Sequence, residues 1–116
     1  PSLSITITPR SANSKFIIIF SGLVNYSITA PAMLRLVRGS TVINEPTSPG
    51  SRIAGRGCIG GSSAGRDSGV FYFVDSPATT SSITYKIQSY TGTSSQTVNL
   101  INTNYSCITN FIVLEV

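Results

Sequence analysis

Leu3, Ile5 and Ile7 alternate with Ser4, Thr6 and Thr8, the period-two rhythm of a strand with one face turned inward. A cluster of turn formers, Pro9 to Ser14, ends it. The stretch Lys15 to Tyr26 comes next, and its Phe16-Ile17-Ile18-Ile19-Phe20 core is apolar at successive positions. Such a strand is covered from two sides, either centrally in a sandwich or at a subunit contact. On the second option Phe16, Ile18 and Phe20 are the candidate oligomer-contact residues. Gly22 predicts a bulge or bend within the same strand. After Ala30-Pro31 the pattern resumes over Ala32 to Arg38, and Gly39-Ser40 predicts a two-residue hairpin turn into Thr41-Val42-Ile43. Val70 to Asp75 is a short apolar strand closed by Ser76-Pro77. Ile83, Tyr85, Ile87 and Ser89 alternate with Thr84, Lys86, Gln88 and Tyr90, and Gly92 to Ser95 form the next turn. Thr97 to Ile101 and Ser106 to Val116 complete the set. The last strand sorts Ile108, Ile112, Leu114 and Val116 onto one face and Cys107, Phe111 and Val113 onto the other.

No window carries a sustained 3.6-residue apolar stripe with a cap and a stop. About eight strands separated by turn signals predict an all-β protein, an antiparallel β-sandwich or jelly roll, in a single domain over residues 1–116. One segment breaks the rhythm. Asn44 to Gly69 holds seven of the ten glycines and reads as a long loop over 44–69, with Ile53 and Ile59 as two points of a short strand inside it. It also carries Arg52, Arg56, Arg66 and Asp67, which makes it the candidate binding feature. The plainer reading is a flexible surface excursion, or one ordered only by a neighbouring subunit.

Composition changes the picture in one respect. Charged residues make up only 10% of the 116-residue chain and hydrophobic residues 41%, against roughly 25% charged in an ordinary soluble domain. Polarity is carried instead by 19 Ser and 13 Thr. With a mean hydropathy of +0.23, the surface is expected to be either bland or partly hidden against other subunits. The net charge of +4 rests on eight cations, a thin supply for tracking a nucleic-acid backbone, and the aromatics sit mostly away from them. No nucleic-acid partner is expected. There is no His, which removes His-dependent triads and His metal ligands. The longest apolar run, Phe16 to Phe20, falls far short of the ~20 residues of a membrane-spanning helix, and the first 15 residues carry no signal-peptide core. Cys58 and Cys107 allow one disulfide at most; a buried reduced pair is the simpler expectation.

Few motifs carry chemistry. Gly55-Arg56-Gly57-Cys58-Ile59-Gly60 spells a dinucleotide fingerprint, but the next residues are Gly61-Ser62-Ser63-Ala64-Gly65, which cannot start the helix that receives a pyrophosphate. The four carboxylates are Glu45, Asp67, Asp75 and Glu115. Asp67 and Asp75 flank a strand and could approach as a hydrolytic pair. Asp75 before Ser76-Pro77 is more economically a turn cap. A serine nucleophile would need Lys15 or Lys86 as its base, and no signature recommends either. Asn25-Tyr26-Ser27 and Asn104-Tyr105-Ser106 fit the N-glycosylation pattern without a secretory signal to make it matter. Tyr72, Tyr85, Tyr90 and Tyr105 could line a sugar-binding shelf, with Tyr90 and Tyr105 the better candidates because they adjoin loops; packing within strands is the alternative. No cofactor and no metal are expected.

Four segments, in order and spacing, carry a family resemblance over nearly the whole chain. They are Ser4-Ile5-Thr6-Ile7-Thr8-Pro9-Arg10-Ser11-Ala12-Asn13-Ser14-Lys15; Leu34-Arg35-Leu36-Val37-Arg38-Gly39-Ser40-Thr41; Phe73-Val74-Asp75-Ser76-Pro77-Ala78-Thr79-Thr80 with Thr84-Tyr85-Lys86-Ile87-Gln88; and Ile112-Val113-Leu114-Glu115-Val116. Together they resemble a β-domain of tail-fibre-like virion proteins from tailed bacteriophages, especially those of cyanobacterial and other marine hosts. The resemblance implies a non-enzymatic structural protein on the virion surface, made in the host bacterial cytoplasm. It implies a homotrimer that contacts other virion proteins of capsid or tail and serves host attachment, with a host surface glycan as a further partner. No membrane insertion is implied. A chain of this size also fits a capsid decoration (cement) protein that stabilises the phage head. A carbohydrate-active enzyme stands third, disfavoured by the missing His and scarce carboxylates.

Overall fold

The computed structural model describes residues 2–26, 32–43, 57–59, 65–91, 98–99 and 109–116, and within them the side chains of 3–22, 34–43, 70–88 and 109–116. The described strands are β1 (Ser2–Ile7), β2 (Phe16–Tyr26), β3 (Ala32–Arg38), β4 (Thr41–Ile43), β5 (Gly57–Ile59), β6 (Gly65–Asp75), β7 (Ile83–Thr91), β8 (Val98–Asn99) and β9 (Asn110–Glu115). Among the described residues there is no helix. The protein is all-β, built from two antiparallel sheets. The first runs β1-β7-β3-β4, with β5 also on β3; the second runs β6-β2-β8, with β9 also on β2.

The apolar alternation seen in the sequence sets the layers. Phe16, Ile18 and Phe20 of β2 meet Leu34 and Leu36 of β3, Ile43 of β4, Phe71 of β6 and Ile83, Tyr85 and Ile87 of β7 in one buried cluster. Leu3, Ile7, Phe73, Phe111 and Val113 close its margins. Two ring pairs anchor it. Phe16 and Tyr85 join the sheets with centroids 5.8 Å apart. Phe20 and Phe71 are neighbours in the second sheet at 5.4 Å, within the range where aromatic pairs add to area burial.

The expected hairpin stands where the sequence puts it. Arg38 pairs with Thr41 across the turn, and Gly39 has φ 62°, the positive angle a two-residue hairpin turn needs at its first central position. Gly22 differs from expectation. The β2–β6 register runs without a slip from Phe16↔Asp75 to Tyr26↔Gly65, so no bulge is present there. The glycine instead makes room: a Cβ at position 22 would lie 3.0 Å from the Thr109 side chain. The stretch 44–69 also departs from a plain loop. It contributes β5, whose Gly57, Cys58 and Ile59 pair with β3, and the first residues of β6. Ile59 therefore lies on a strand, while Ile53 lies outside the described residues.

Candidate interaction surface

The second sheet is apolar on both of its faces, and the register shows how. Looking inward, its rows read Phe73–Ile18–Val113 and Phe71–Phe20–Phe111; looking outward they read Val74–Ile17–Leu114 and Tyr72–Ile19–Ile112 across β6, β2 and β9. The inward set is the core. Phe16, Ile18 and Phe20 are each 0% exposed, so the oligomer-contact role expected of them is corrected. Side chains alternate across a strand, and these three point into this chain's own interior. The surface of β2 belongs to the opposite parity, Ile17 and Ile19.

That outward face is open. Val70 is 71% exposed, Tyr72 72%, Val74 51%, Ile112 40%, Leu114 49% and Val116 67%. Ser21 and Asn110 close one end of it in register with Val70. Lys15, joined to Val116 by two backbone hydrogen bonds of 3.0 and 2.8 Å, closes the other. The outer face of the first sheet has the opposite character. Ser4 lies beside Lys86 and Thr6 beside Thr84, and Arg35 lies beside Gln88. Two of these pairs bond across the strands, Thr6 Oγ1 to Thr84 Oγ1 at 2.8 Å and Arg35 Nε to Gln88 Oε1 at 3.1 Å. Val37 and Val42 are the apolar members there, next to each other in register.

Several titratable groups gather at one end of the sandwich, where Phe16 is flanked by Asp75 on one side and Glu115 on the other. Asp75 is only 6% exposed. Arg38 Nη1 donates to both of its carboxylate oxygens, at 2.7 and 2.8 Å, and the Tyr85 hydroxyl donates at 2.6 Å. The carboxylate therefore ties the second sheet to β3 and β7 of the first, in place of the expected turn-capping role. Burial, then the hydrogen bond to Asp75 and its negative charge, push the Tyr85 hydroxyl pKa above the ordinary tyrosine value. Glu115 is bound by the Ser14 side chain and by the Arg10 backbone N–H at 2.7 Å, and these bonds hold its carboxyl below the usual range. Ile7, Arg10, Ser14, Glu115 and Val116 line a shallow open concavity around it. Asp75 and Glu115 stand two strand spacings apart, about 10 Å, on either side of Phe16.

The remaining sequence candidates are not brought together on the described residues. Arg52, Arg56 and Tyr105 lie outside them. Arg66 and Asp67 belong to β6, opposite Asn25 and Val24, and Tyr90 belongs to β7, opposite Met33. Of the other tyrosines, Tyr85 is 0% exposed in the core and Tyr72 lies on the outer face of the second sheet, so these two do not form one shelf. Among the described residues no three His, Cys, Asp or Glu side chains form a metal-holding group. The outward face was missed in the sequence because Tyr72, Ile112 and Leu114 carry no mark that separates them from core residues. Comparison with known proteins adds no relative: no family model, no curated protein and no solved structure matches this chain.

Proposed function

We propose that this chain is a non-enzymatic structural protein of a bacteriophage virion, of the tail-fibre type, a jelly-roll-like sandwich that assembles with copies of itself and serves surface display and host attachment. The observation that carries the assembly role is the unequal pair of outer faces. One is lined with Ser, Thr, Arg, Lys and Gln, while the other exposes Val70, Tyr72, Val74, Ile112 and Leu114. A protein working alone in water rarely leaves so continuous an apolar patch open. A module that spends its life packed in a larger particle has reason to keep one. The phage assignment rests on the four resembling segments of the sequence. Low charge and abundant hydroxyls suit a rigid part displayed in many copies.

The test is a partition assay with the labelled full chain, offered in parallel to host cells and to undecorated phage heads. Saturable binding to cells, reduced when Arg52, Arg56 and Arg66 are together changed to Ala, supports the fibre reading and the Arg-bearing segment as its contact. Stoichiometric binding to heads with none to cells replaces it with a capsid decoration role. Binding to neither overturns the virion assignment.

A further inference from the structure

We infer that the outer face of the second sheet is the surface through which copies of this chain join one another, with the Tyr72–Ile19–Ile112 row at its centre. The inference deepens the assembly role of the proposed function and rests on it, because it names the occupant of the apolar face.

Three observations select a second copy. The first is extent. Six side chains, open by 40 to 72%, present on the order of 600 Å², taking roughly 150 Å² for each aliphatic residue and about 250 Å² for the tyrosine when fully exposed. A standard stable interface needs about 800 Å² from each partner, and the largest patch on a typical monomer is roughly 300–600 Å². The face thus lies at the small end of the standard range of roughly 600–1,000 Å² per partner, and Ile17 and Ile19 add the strand between its two flanks.

The second is charge. The chain carries a net +4, so two copies repel unless the surfaces that meet exclude cations. The second sheet's outer face does so over its whole middle, and Lys15 stands only at its end beside Val116. Of the other cations whose side chains are described, Arg35 and Lys86 belong to the first sheet, Arg38 is turned between the sheets to Asp75, and Arg10 lies in the β1–β2 turn beside Glu115. Arg66 stands on β6 beyond the Ser21–Val70 row, four residues from Val70. An acidic partner would find no cation to pair with across the middle of this face, only Lys15 and Arg66 towards its ends. An identical uncharged face meets it without penalty.

The third is shape and chemistry. The face is a three-stranded sheet whose apolar rows run straight across β6, β2 and β9, and sheets pack face to face at about 10 Å when both present such rows. Ser21 and Asn110 at one end and Lys15 at the other give the apolar centre a polar rim, the anatomy of an interface between folded partners. Tyr72, the largest exposed side chain of the patch at 72%, is of the residue type that most often anchors such contacts.

The test reads oligomeric state on the purified full chain by native mass spectrometry and by light scattering across a concentration series. The expected result is a closed oligomer, with the midpoint of its dissociation raised at least 100-fold by Tyr72→Lys and by Ile112→Lys. Ser4→Lys on the opposite face, a control charge of the same sign, should leave it unchanged. Circular dichroism confirms that each variant folds; both target positions are exposed, so the core is not disturbed. A measurement free of substitutions stands beside these: hydroxyl-radical labelling of Tyr72 in the unaltered chain should fall as concentration crosses the association midpoint. A monomer at all accessible concentrations, an oligomer indifferent to both lysines, or unchanged Tyr72 labelling overturns the inference. These outcomes are separate from the partition assay, since a chain that binds neither cells nor heads can still self-associate through this face, and a monomer can still bind either.

Discussion

Asp75 places a negative charge where the surrounding residues are Phe16, Tyr85 and the inner ends of two sheets, and the groups around it explain why it is tolerated. Moving a carboxylate out of water costs several kcal/mol unless cations and donors replace the lost solvent. Arg38 supplies a cation whose side chain keeps 30% of its own exposure, so its desolvation is partial, and Tyr85 supplies a neutral donor from the core side. Because the folded-state pKa of Tyr85 lies above its unfolded value, the hydroxyl's contribution is complete below about pH 10 and declines as pH rises beyond it. Tyr85→Phe should cost about 1–3 kcal/mol at pH 7, the usual penalty for removing one partner of a buried polar group. The gap between the two proteins should narrow above pH 10, as only the unaltered chain must retain a proton against solution. Urea unfolding at pH 7, 10 and 11 checks both parts, and a gap that stays constant with pH would remove the hydroxyl proton from the account.

Strand β9 shows how a terminal element is held at the edge of a sheet. The turn between β1 and β2 is tightened by Ser14 N–H to Ser11 O at 3.1 Å and by Asn13 N–H to Ser11 Oγ at 3.1 Å. From it Arg10 donates its backbone N–H to Glu115, and Lys15 exchanges backbone bonds with Val116. The Arg10 guanidinium adds little, being 91% exposed with Nε 4.0 Å from the carboxylate. Glu115 has a folded-state pKa below its ordinary value, so its contribution is present above that ordinary value and is lost as pH falls through the lowered one. Glu115→Gln should therefore speed hydrogen exchange at the Arg10 and Val116 amides at pH 6, and the difference from the unaltered chain, after correction for intrinsic rates, should shrink towards pH 3. Equal protection at pH 6 would mean that the backbone bonds alone hold the strand. At this scale much of the fold was legible: the alternation of Leu3 to Thr8 and Ile83 to Gln88, the Gly39-Ser40 turn, and the partition of the last strand with Phe111 and Val113 opposite Ile112 and Leu114. What was not legible depended on partners distant in the chain. Phe16 to Phe20 is apolar at every position, so parity alone could not say which side met the core. Gly22 read as a bulge because the Thr109 side chain that needs its space lies 87 positions away in sequence. Asp75 read as a turn cap because Arg38 and Tyr85 become its neighbours only when the sheets pack.

At the scale of the molecule, the two sheets share one core while presenting unlike surfaces, and the two facts have different consequences. The core belongs to neither sheet alone. Phe16 and Phe20 from the second sheet, and Leu34, Leu36, Tyr85 and Ile87 from the first, are all 2% exposed or less in a single cluster. A sheet stripped of its partner would expose its inner apolar face to water, at about 1.5–3 kcal/mol for each large side chain uncovered, more than a marginally stable domain can lose several times over. The sheets should therefore fold and unfold together. Phe16 is the most informative place to test this, since its ring meets Tyr85 of the other sheet and its backbone stands between Asp75 and Glu115. Phe16→Ala should cost about 3–5 kcal/mol, through lost burial and the cavity left behind. The loss should appear as one earlier transition, with near-ultraviolet tyrosine circular dichroism, to which the fully buried Tyr85 contributes, and backbone circular dichroism falling on the same curve. The experiment belongs in a background carrying Tyr72→Lys, so that any dissociation of copies is removed from the transition. Two separate transitions, with the tyrosine signal lost before the backbone signal, would show that the sheets hold their structure independently. The unity of the core would then have to come from contacts between copies rather than from within the chain.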